Sequence, residues 1–440
     1  MAATAREAAL TALEKWRKNG AWSDAALASV IAKAQLDARD AALASRICYG
    51  TLQNLALLDF YIAAFSTTPP QKLEPKVLDL LRISAYQILL MDKVPPSAAV
   101  NEAVALCKRS GCVRASGLVN AVLRRITERR DSLPEIPRKG TAEYLATKYS
   151  HPLWLVQEWA AAHGYAFAEA ALRADNAPAP VCIQTNTLKT DVKTLQSSLQ
   201  GQGFAVRTQD RLPDALVCGG GNLAASDAFR DGWFYIQDAA AKLAVLAADP
   251  QPGMRVLDAC AAPGGKSFSA AVQMQGRGSI LSCDIHENKL KRVRESAQRL
   301  GISILETAAM DARTPLGSLR ESADVVLADV PCSGLGVIRK KPEIRYKDPV
   351  ELENLPEIQS AILSGLAGCV KPGGVLLYST CTVRKRENED VVRAFLSGRP
   401  EFAPEPFSAA GVDAPDGMCT LWPHLHDTDG FFICKLRKRV

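Results

Sequence analysis

The stretch Arg255–Ser267, RVLDACAAPGGKS, constrains the fold more than any other part of the chain. Val256 and Leu257 read as the end of a buried strand, the small residues from Ala259 to Gly265 as a turn, and Lys266 as the start of a helix. Strand, glycine loop and helix start, in that order, is where α/β proteins hold nucleotides, because the backbone N–H groups there point at the ligand. Gly264 and Gly265 let the backbone approach a ligand closely. Asp284, which ends the next strand-like run SILSCDI, is placed to accept hydrogen bonds from ribose hydroxyls.

Spacing separates the nucleotide readings. A Walker A loop needs a glycine where Cys260 stands, and no G-x-G-x-x-G is present. S-adenosylmethionine, whose methyltransferases use a looser glycine turn, is the remaining cofactor; a ligand-free turn is the other reading of the loop taken alone. Strand-like runs at Met254–Leu257, Ser279–Cys283, Ile302–Glu306, Asp324–Ala328, Val375–Ser379 and Phe431–Leu436 alternate with helical patterns. That alternation predicts a mostly parallel, doubly wound α/β sheet over 241–440, with ligands at the carboxyl ends of its strands.

The first 140 residues differ. They are rich in alanine and leucine with a helical period, as in Ala8, Ala9, Ala12 and Leu13, or Val77, Leu80, Leu81, Ser84, Ala85 and Ile88. Five to seven packed helices are predicted, with Ser97 capping the one that follows Pro95 and Pro96. Between Asn101 and Gly140 nine Lys or Arg, Arg124 and Arg125 among them, stand against four acids. Such a run is either a solvated face or a surface that tracks phosphates. Residues 141–240 read as linker helices followed by a small α+β subdomain.

The net charge of +6 permits a polyanionic partner without requiring one. The 12 cysteines form no C-x-x-C pair, and the 5 histidines add no zinc spacing, so no metal is expected. Unpaired thiols in this number, with neither a signal-peptide-like run nor an apolar span of about 18 residues, predict a cytoplasmic protein that does not enter membranes. The expected oligomeric state is a monomer.

Two cysteines sit at strand ends in unusual surroundings: Cys332 in DVPCSG and Cys381 in YSTCT. Each alone reads as a buried structural thiol. Beside a methyl-donor site they point to one reaction class. Carbon 5 of a pyrimidine is too weak a nucleophile to take a methyl group directly, so a thiolate must first add to carbon 6.

The motifs DACAAPGGKS, DVPCSGLGVIRKKPEIRY and YSTCTVRKRENE together resemble the RsmB/Sun family of RNA cytosine-C5 methyltransferases. PPSAAVNEAVALCKRSG and GLVNAVLRRI resemble NusB-like RNA-binding domains, and that domain order is similar to the family's RsmB branch. The resemblance implies 16S ribosomal RNA as substrate. It implies Cys381 as nucleophile, Cys332 as the group that assists breakdown of the adduct, and Asp329 as a hydrogen-bond partner of the cytosine ring. It further implies a cofactor site lined by Cys260, Ala261, Ala262, Pro263, Gly264, Gly265 and Lys266, with Asp284, Lys289 and Asp311 on the ribose and adenine side and Asp329 adjoining.

Lys266 suits the methionine carboxylate. Arg339, Lys340, Lys341 and Arg345 after the first thiol, and Arg384, Lys385 and Arg386 after the second, are expected to hold RNA phosphates. Gln184 and Lys289 stand where the family often has arginine. A transfer-RNA substrate and a catalytically silent NusB-like assembly factor are the alternatives. Methylation of an exocyclic amine fits poorly, because Asp329-Val330-Pro331-Cys332 lacks the usual Pro-Pro-aromatic run.

Overall fold

The computed structural model describes residues 4–19, 23–219 and 221–440. They form two compact units, Met1–Ala177 with Ile338–Lys347, and Pro178–Val337 with Asp348–Val440.

The first unit is helical. Its elements are α1 (Ala5–Asn19), α2 (Ser23–Ala34), α3 (Ala38–Gln53), α4 (Leu55–Phe65), α5 (Pro75–Leu90), α6 (Pro96–Arg109), α7 (Ser116–Glu128), α8 (Ala142–Tyr149), α9 (Leu153–His163) and α10 (Tyr165–Asp175). The apolar faces read from the sequence are the faces that pack: Ala8, Ala9, Ala12 and Leu13 on α1, and Val77, Leu80, Leu81, Ala85 and Ile88 on α5, are all buried. At the start of α6 the expected serine cap is absent. Pro95 is the N-cap residue and Pro96 occupies the first turn, where its missing N–H costs nothing and its fixed φ suits the helix. The helices α8–α10 cluster with this first unit.

The second unit opens with β1 (Val181–Thr185), α11 (Val192–Gly201), β2 (Ala205–Thr208), β3 (Ala215–Gly219), α12 (Asp227–Arg230) and β4 (Phe234–Ile236). Their strands form an antiparallel sheet in the order β2-β3-β1-β4. There follow α13 (Ala239–Ala248), β5 (Arg255–Asp258), α14 (Gly265–Gln273), β6 (Ser279–Asp284), α15 (Glu287–Leu300), β7 (Leu305–Ala309), β8 (Ala323–Asp329), α16 (Leu355–Ala367), β9 (Val370–Thr380) and α17 (Glu389–Gly398). The chain ends with β10 (Phe402–Pro404), β11 (Phe407–Ala409), β12 (Val412–Ala414), β13 (Met418–Leu421), α18 (Pro423–His426) and β14 (Phe431–Lys438).

The large sheet runs β10-β14-β9-β8-β5-β6-β7 with β13 beside β14. From β7 to β9 it is parallel, and β14 closes it antiparallel to β9. The strand expected at Ile302–Glu306 begins three residues later. Gly301, at φ 72°, ends α15, and Ile302 folds back to give its N–H to the Ala297 carbonyl and bury its side chain. An apolar residue just past a glycine stop packs on the helix it ends. Asp258, Asp284, Asp329 and Thr380 therefore all lie at the carboxyl ends of parallel strands, the edge where open α/β sheets bind ligands.

Candidate active site

The ends of β8 and β9 bring the two thiols together. Cys332 Sγ and Cys381 Sγ are 3.3 Å apart, and both are half-buried. They differ in what surrounds them. Cys381 has its thiol pulled below the usual range by the hydrogen bond from Cys332, helped by the nearby Lys266 ammonium against the opposing effect of burial. Cys332 is pushed well up by that same bond, by burial and by the Glu387 carboxylate. One thiol is thus prepared to lose its proton and its neighbour to keep it. Cys260, the third cysteine on this edge, is pushed far up by burial with Asp258 and Asp329 close by, and is no rival nucleophile.

Asp329 stands beside the pair. Its Oδ2 is 2.6 Å from Lys266 Nζ, and its Oδ1 accepts the Ser379 hydroxyl at 2.8 Å. Lys266, expected at a methionine carboxylate, therefore has its ammonium held on the thiol side, where it also lies 5.1 Å from the centre of the Phe431 ring. Only its backbone N–H, in the first turn of α14, remains directed as a helix start directs it.

The glycine loop has the features of a ligand cradle. Gly264 has φ 107°, and a Cβ there would collide with the Phe268 ring. Beneath it Asp258 is fully buried. Its Oδ2 accepts the Ser267 hydroxyl at 2.7 Å, and Ser267 in turn accepts from Ser282 at 2.8 Å. Oδ1 has no partner, and burial pushes the carboxyl up to about 6. Gln237 closes the other side: a Cβ on Gly265 would lie 3.3 Å from its Nε2. Its buried amide has neither nitrogen nor oxygen satisfied. Buried polar groups are rarely left so unless a ligand completes them.

Further along the edge, Asp284 accepts the His286 N–H at 2.9 Å and lies 3.9 Å from Lys289 Nζ. Asp311 is gripped by the Arg313 guanidinium, with contacts of 2.6 to 3.0 Å, which lowers its pKa.

Comparison with known proteins agrees with this geometry. Residues 245–437 match the model for 16S rRNA methyltransferase RsmB/F, 3–128 the NusB family, and 151–220 the ferredoxin-like domain of RsmF/B-like methyltransferases. The chain is 40% identical over 99% of its length to a probable ribosomal RNA small subunit methyltransferase B of Bacillus subtilis, covering 98% of that protein. It belongs to the RsmB/F family.

A second such protein, from Synechocystis, is 32% identical over 99% of this chain and 99% of its own. Among solved structures, PH0851 superposes with a TM-score of 0.82 at 30% identity, covering 99% of this chain and 98% of that one. A methyltransferase homologue from Pyrococcus horikoshii gives 0.60 at 27% identity over 68% of this chain and all of its own. As an RsmB/F member the chain is an S-adenosylmethionine-dependent RNA cytosine-C5 methyltransferase with a NusB-like helical region, a small sheet and a Rossmann-like catalytic fold. The unsatisfied Asp258 and Gln237 atoms around the glycine cradle fit that cofactor, which carries both an ammonium and a carboxylate.

Several basic residues expected at RNA are engaged elsewhere. Arg345 lies in the segment that packs with the first unit and has no exposed surface. Its guanidinium meets the carbonyls of Gln53, Tyr149 and Ser150 and Asn176 Oδ1 at 2.9 to 3.2 Å. It is a buried structural tie, not an RNA contact. Arg339 is likewise buried, which removes it from a phosphate surface, whereas Lys340 is half-buried and Lys341 exposed.

Beyond the second thiol, Arg384 is buried 3.8 Å from Glu387, and Arg386 makes a two-pronged pair with Glu353 at 2.9 Å. Arg124 and Arg125 are exposed on α7, with Arg125 donating to the Phe65 carbonyl. Gln184 is buried, its amide donating to the Gln237 carbonyl at 3.1 Å, so an RNA contact is not lost at this position; it faces the interior.

Sequence reasoning assigned nothing to Asp258, Gln237 or Glu387. Glu387 is fully buried and accepts the Ser333 N–H at 2.8 Å and the Gln359 amide at 3.1 Å. The signal available for it was an acid inside the motif that follows Cys381, three residues after Arg384.

Proposed function

We propose that this protein methylates carbon 5 of a cytosine in 16S ribosomal RNA, with Cys381 as nucleophile, Cys332 as the group that frees the product, and Asp329 as the anchor of the base. The observation that carries the reading is the thiol pair itself, 3.3 Å apart, with Lys266 on one side and Glu387 on the other.

The Cys381 thiolate adds to carbon 6, and the ring gains electron density at carbon 5. Asp329, oriented by Lys266 and Ser379, hydrogen-bonds the N3 side of the ring and favours the form that accepts the thiolate. The cofactor, when bound at the glycine loop, supplies the methyl group to carbon 5. Cys332 is held as a neutral thiol while it donates to the Cys381 thiolate; once Cys381 is bonded to carbon 6, Cys332 releases its proton to solvent, and its thiolate then removes the carbon 5 proton. The electrons of that C–H bond reform the ring double bond and expel Cys381. A cytosine in a loop or open strand suits this chemistry, because a paired base must first leave the stack at a cost of a few kcal/mol.

The test uses unmethylated small-subunit RNA, labelled S-adenosylmethionine and a denaturing gel. Cys381→Ala should abolish transfer, and Cys332→Ala should accumulate a covalent protein–RNA band. The reverse pattern would exchange the two roles, and transfer untouched by either change would sink the mechanism. Mapping 5-methylcytosine in cells with and without the protein tests the 16S assignment against transfer RNA.

A further inference from the structure

Four of the 12 thiols reach the surface in part: Cys260, Cys332, Cys381 and Cys419. Burial pushes Cys419 up to about 12, and it pushes Cys260 well up too. Cys381 goes the other way, pulled down by the hydrogen bond from Cys332 and by Lys266 against its own burial. Oxidants attack thiolates, and among thiolates those that solvent reaches. The nucleophile of this site is therefore also its most oxidisable sulfur.

A second sulfur lies 3.3 Å from it. The bond length of a disulfide is about 2.05 Å, so the pair has about 1.3 Å left to close. The backbone is already near bridging range. Cys332 and Cys381 lie just beyond β8 and β9, which pair in parallel through Asp329 and Ser379. Such strands run about 4.8 Å apart, inside the window of about 4.4–6.8 Å between Cα atoms that a disulfide tolerates. Past the strand ends the two loops stay joined, by the hydroxyl bond between Ser333 and Thr382 at 2.7 Å and by the Gly336 N–H on the Cys381 carbonyl at 3.0 Å. Closing the gap asks for rotation of two side chains, not for movement of the loops.

We propose that Cys332 and Cys381 form a reversible disulfide when the enzyme meets a hydroperoxide, and that this bond switches methyl transfer off while sparing the nucleophile from permanent oxidation. The Cys381 thiolate attacks one peroxide oxygen; the O–O bond breaks, the sulfur becomes a sulfenic acid, and hydroxide leaves. Cys332 gives its proton to that hydroxide, and its thiolate then displaces a second hydroxide from the Cys381 sulfur. This one takes up the proton that Cys381 had lost to solvent. Two electrons have passed from the sulfur pair to the peroxide, whose oxygens end as water. A small dithiol returns them by exchange. With no thiol in reach, a sulfenic acid goes on to sulfinic acid, which thiols do not reduce. The disulfide leaves no thiolate for carbon 6, and the glycine loop is not part of it. The loss of methyl transfer rests on the reading of Cys381 as nucleophile; the bond itself does not.

The test uses the full chain without RNA, exposed to hydrogen peroxide in slight excess and stopped with catalase. Free thiols counted after denaturation should fall by two from 12. The tryptic peptides that carry Cys332 and Cys381 should appear joined, two hydrogens lighter than their sum. Methyl transfer to small-subunit RNA should be lost in step with the joined peptide and return with dithiothreitol, and S-adenosylmethionine affinity by calorimetry should hold throughout. Cys332→Ser should give a dimedone adduct on Cys381 and, without dimedone, a gain of two oxygens that dithiothreitol does not remove. Cys381→Ser should react with peroxide on the order of tenfold more slowly, because burial and Glu387 still hold the Cys332 proton.

Twelve thiols still free after peroxide, or joined peptides that leave out either of the two, would overturn the switch. So would unaltered protein in which Cys381 passes straight to the doubly oxygenated acid. A joined pair with undiminished methyl transfer would leave the bond standing and overturn Cys381 as the nucleophile instead.

Discussion

Glu387 accepts the backbone N–H of Ser333 at 2.8 Å, tying the residue after one thiol to the loop that follows the other. Ser333 and Thr382, the residues that succeed Cys332 and Cys381, share a second bond between their hydroxyls at 2.7 Å. The Tyr378 hydroxyl holds the Glu387 carbonyl at 2.6 Å. The distance between the two sulfurs is thus set by a frame of buried polar groups behind them.

Removing the Glu387 carboxylate tests that frame. Glu387→Ala would leave the Ser333 N–H unsatisfied, at about 1–3 kcal/mol, would take from the Gln359 amide one of its two acceptors while its bond to the Pro331 carbonyl at 3.0 Å remains, and would let the Cys332 loop shift. Because an error of about 1 Å in a catalytic group costs on the order of 100-fold, kcat should fall by roughly 10- to 100-fold. S-adenosylmethionine affinity, read by calorimetry, should hold. Glu387→Gln keeps an oxygen for Ser333 and should recover most of the loss. Equal kcat in the alanine variant and the unaltered protein would show that the thiols position themselves.

Arg345 gives the second prediction. Its Nη1 is held by three backbone carbonyls and Asn176, and the side chain has no exposed surface. Arg345→Met keeps much of the volume but strips those acceptors of their donor, and should lower unfolding stability by about 2–4 kcal/mol in urea titration. The salt dependence of RNA binding should not change, because no phosphate contact is removed. A salt slope reduced by about 0.7 with unaltered stability would restore the expectation that this arginine binds RNA.

The contrast between Arg345 and Cys381 shows what the sequence could and could not disclose. Cys381, Cys332, Asp284 and the glycine loop were legible because strand ends can be read from local patterns, and parallel topology gathers strand ends on one edge. Arg345, in the basic run that follows Cys332, looked solvated for the opposite reason. Its burial depends on carbonyls near residues 53 and 150, which no local pattern links to it. The same holds for Glu387, whose partner Ser333 is 54 positions away, and for Gln237, whose meaning depends on where Gly265 lies. Ile302 was misplaced by a rule of a different kind: a β-branched residue after a glycine reads as a strand start, yet here it completes a helix stop.

Asp258 gives the last prediction, on pH. Burial raises its carboxyl to about 6 in the folded protein, against 3.8 for an unperturbed aspartate. Below the lower value both states hold the proton and the group is neutral to stability. Between the two the unfolded chain ionises while the folded one stays protonated, so stability falls as pH rises. Above about 6 the cost levels off near 3 kcal/mol, since each pKa unit is worth about 1.4 kcal/mol. Asp258→Asn has no proton to lose and can still accept from Ser267. Without cofactor, its unfolding free energy should match the unaltered protein at pH 4 and exceed it increasingly up to pH 6, with a constant excess beyond. Subtracting the two curves cancels carboxylates of opposite sign, such as Glu405, lowered to about 2 by Arg437 and Lys435. The carboxylate that weakens the fold has an Oδ1 without a hydrogen-bond partner, and the cofactor's ammonium would repay its burial. The asparagine variant should therefore bind S-adenosylmethionine more weakly while unfolding later. A variant that gains stability with undiminished cofactor affinity would separate Asp258 from the site.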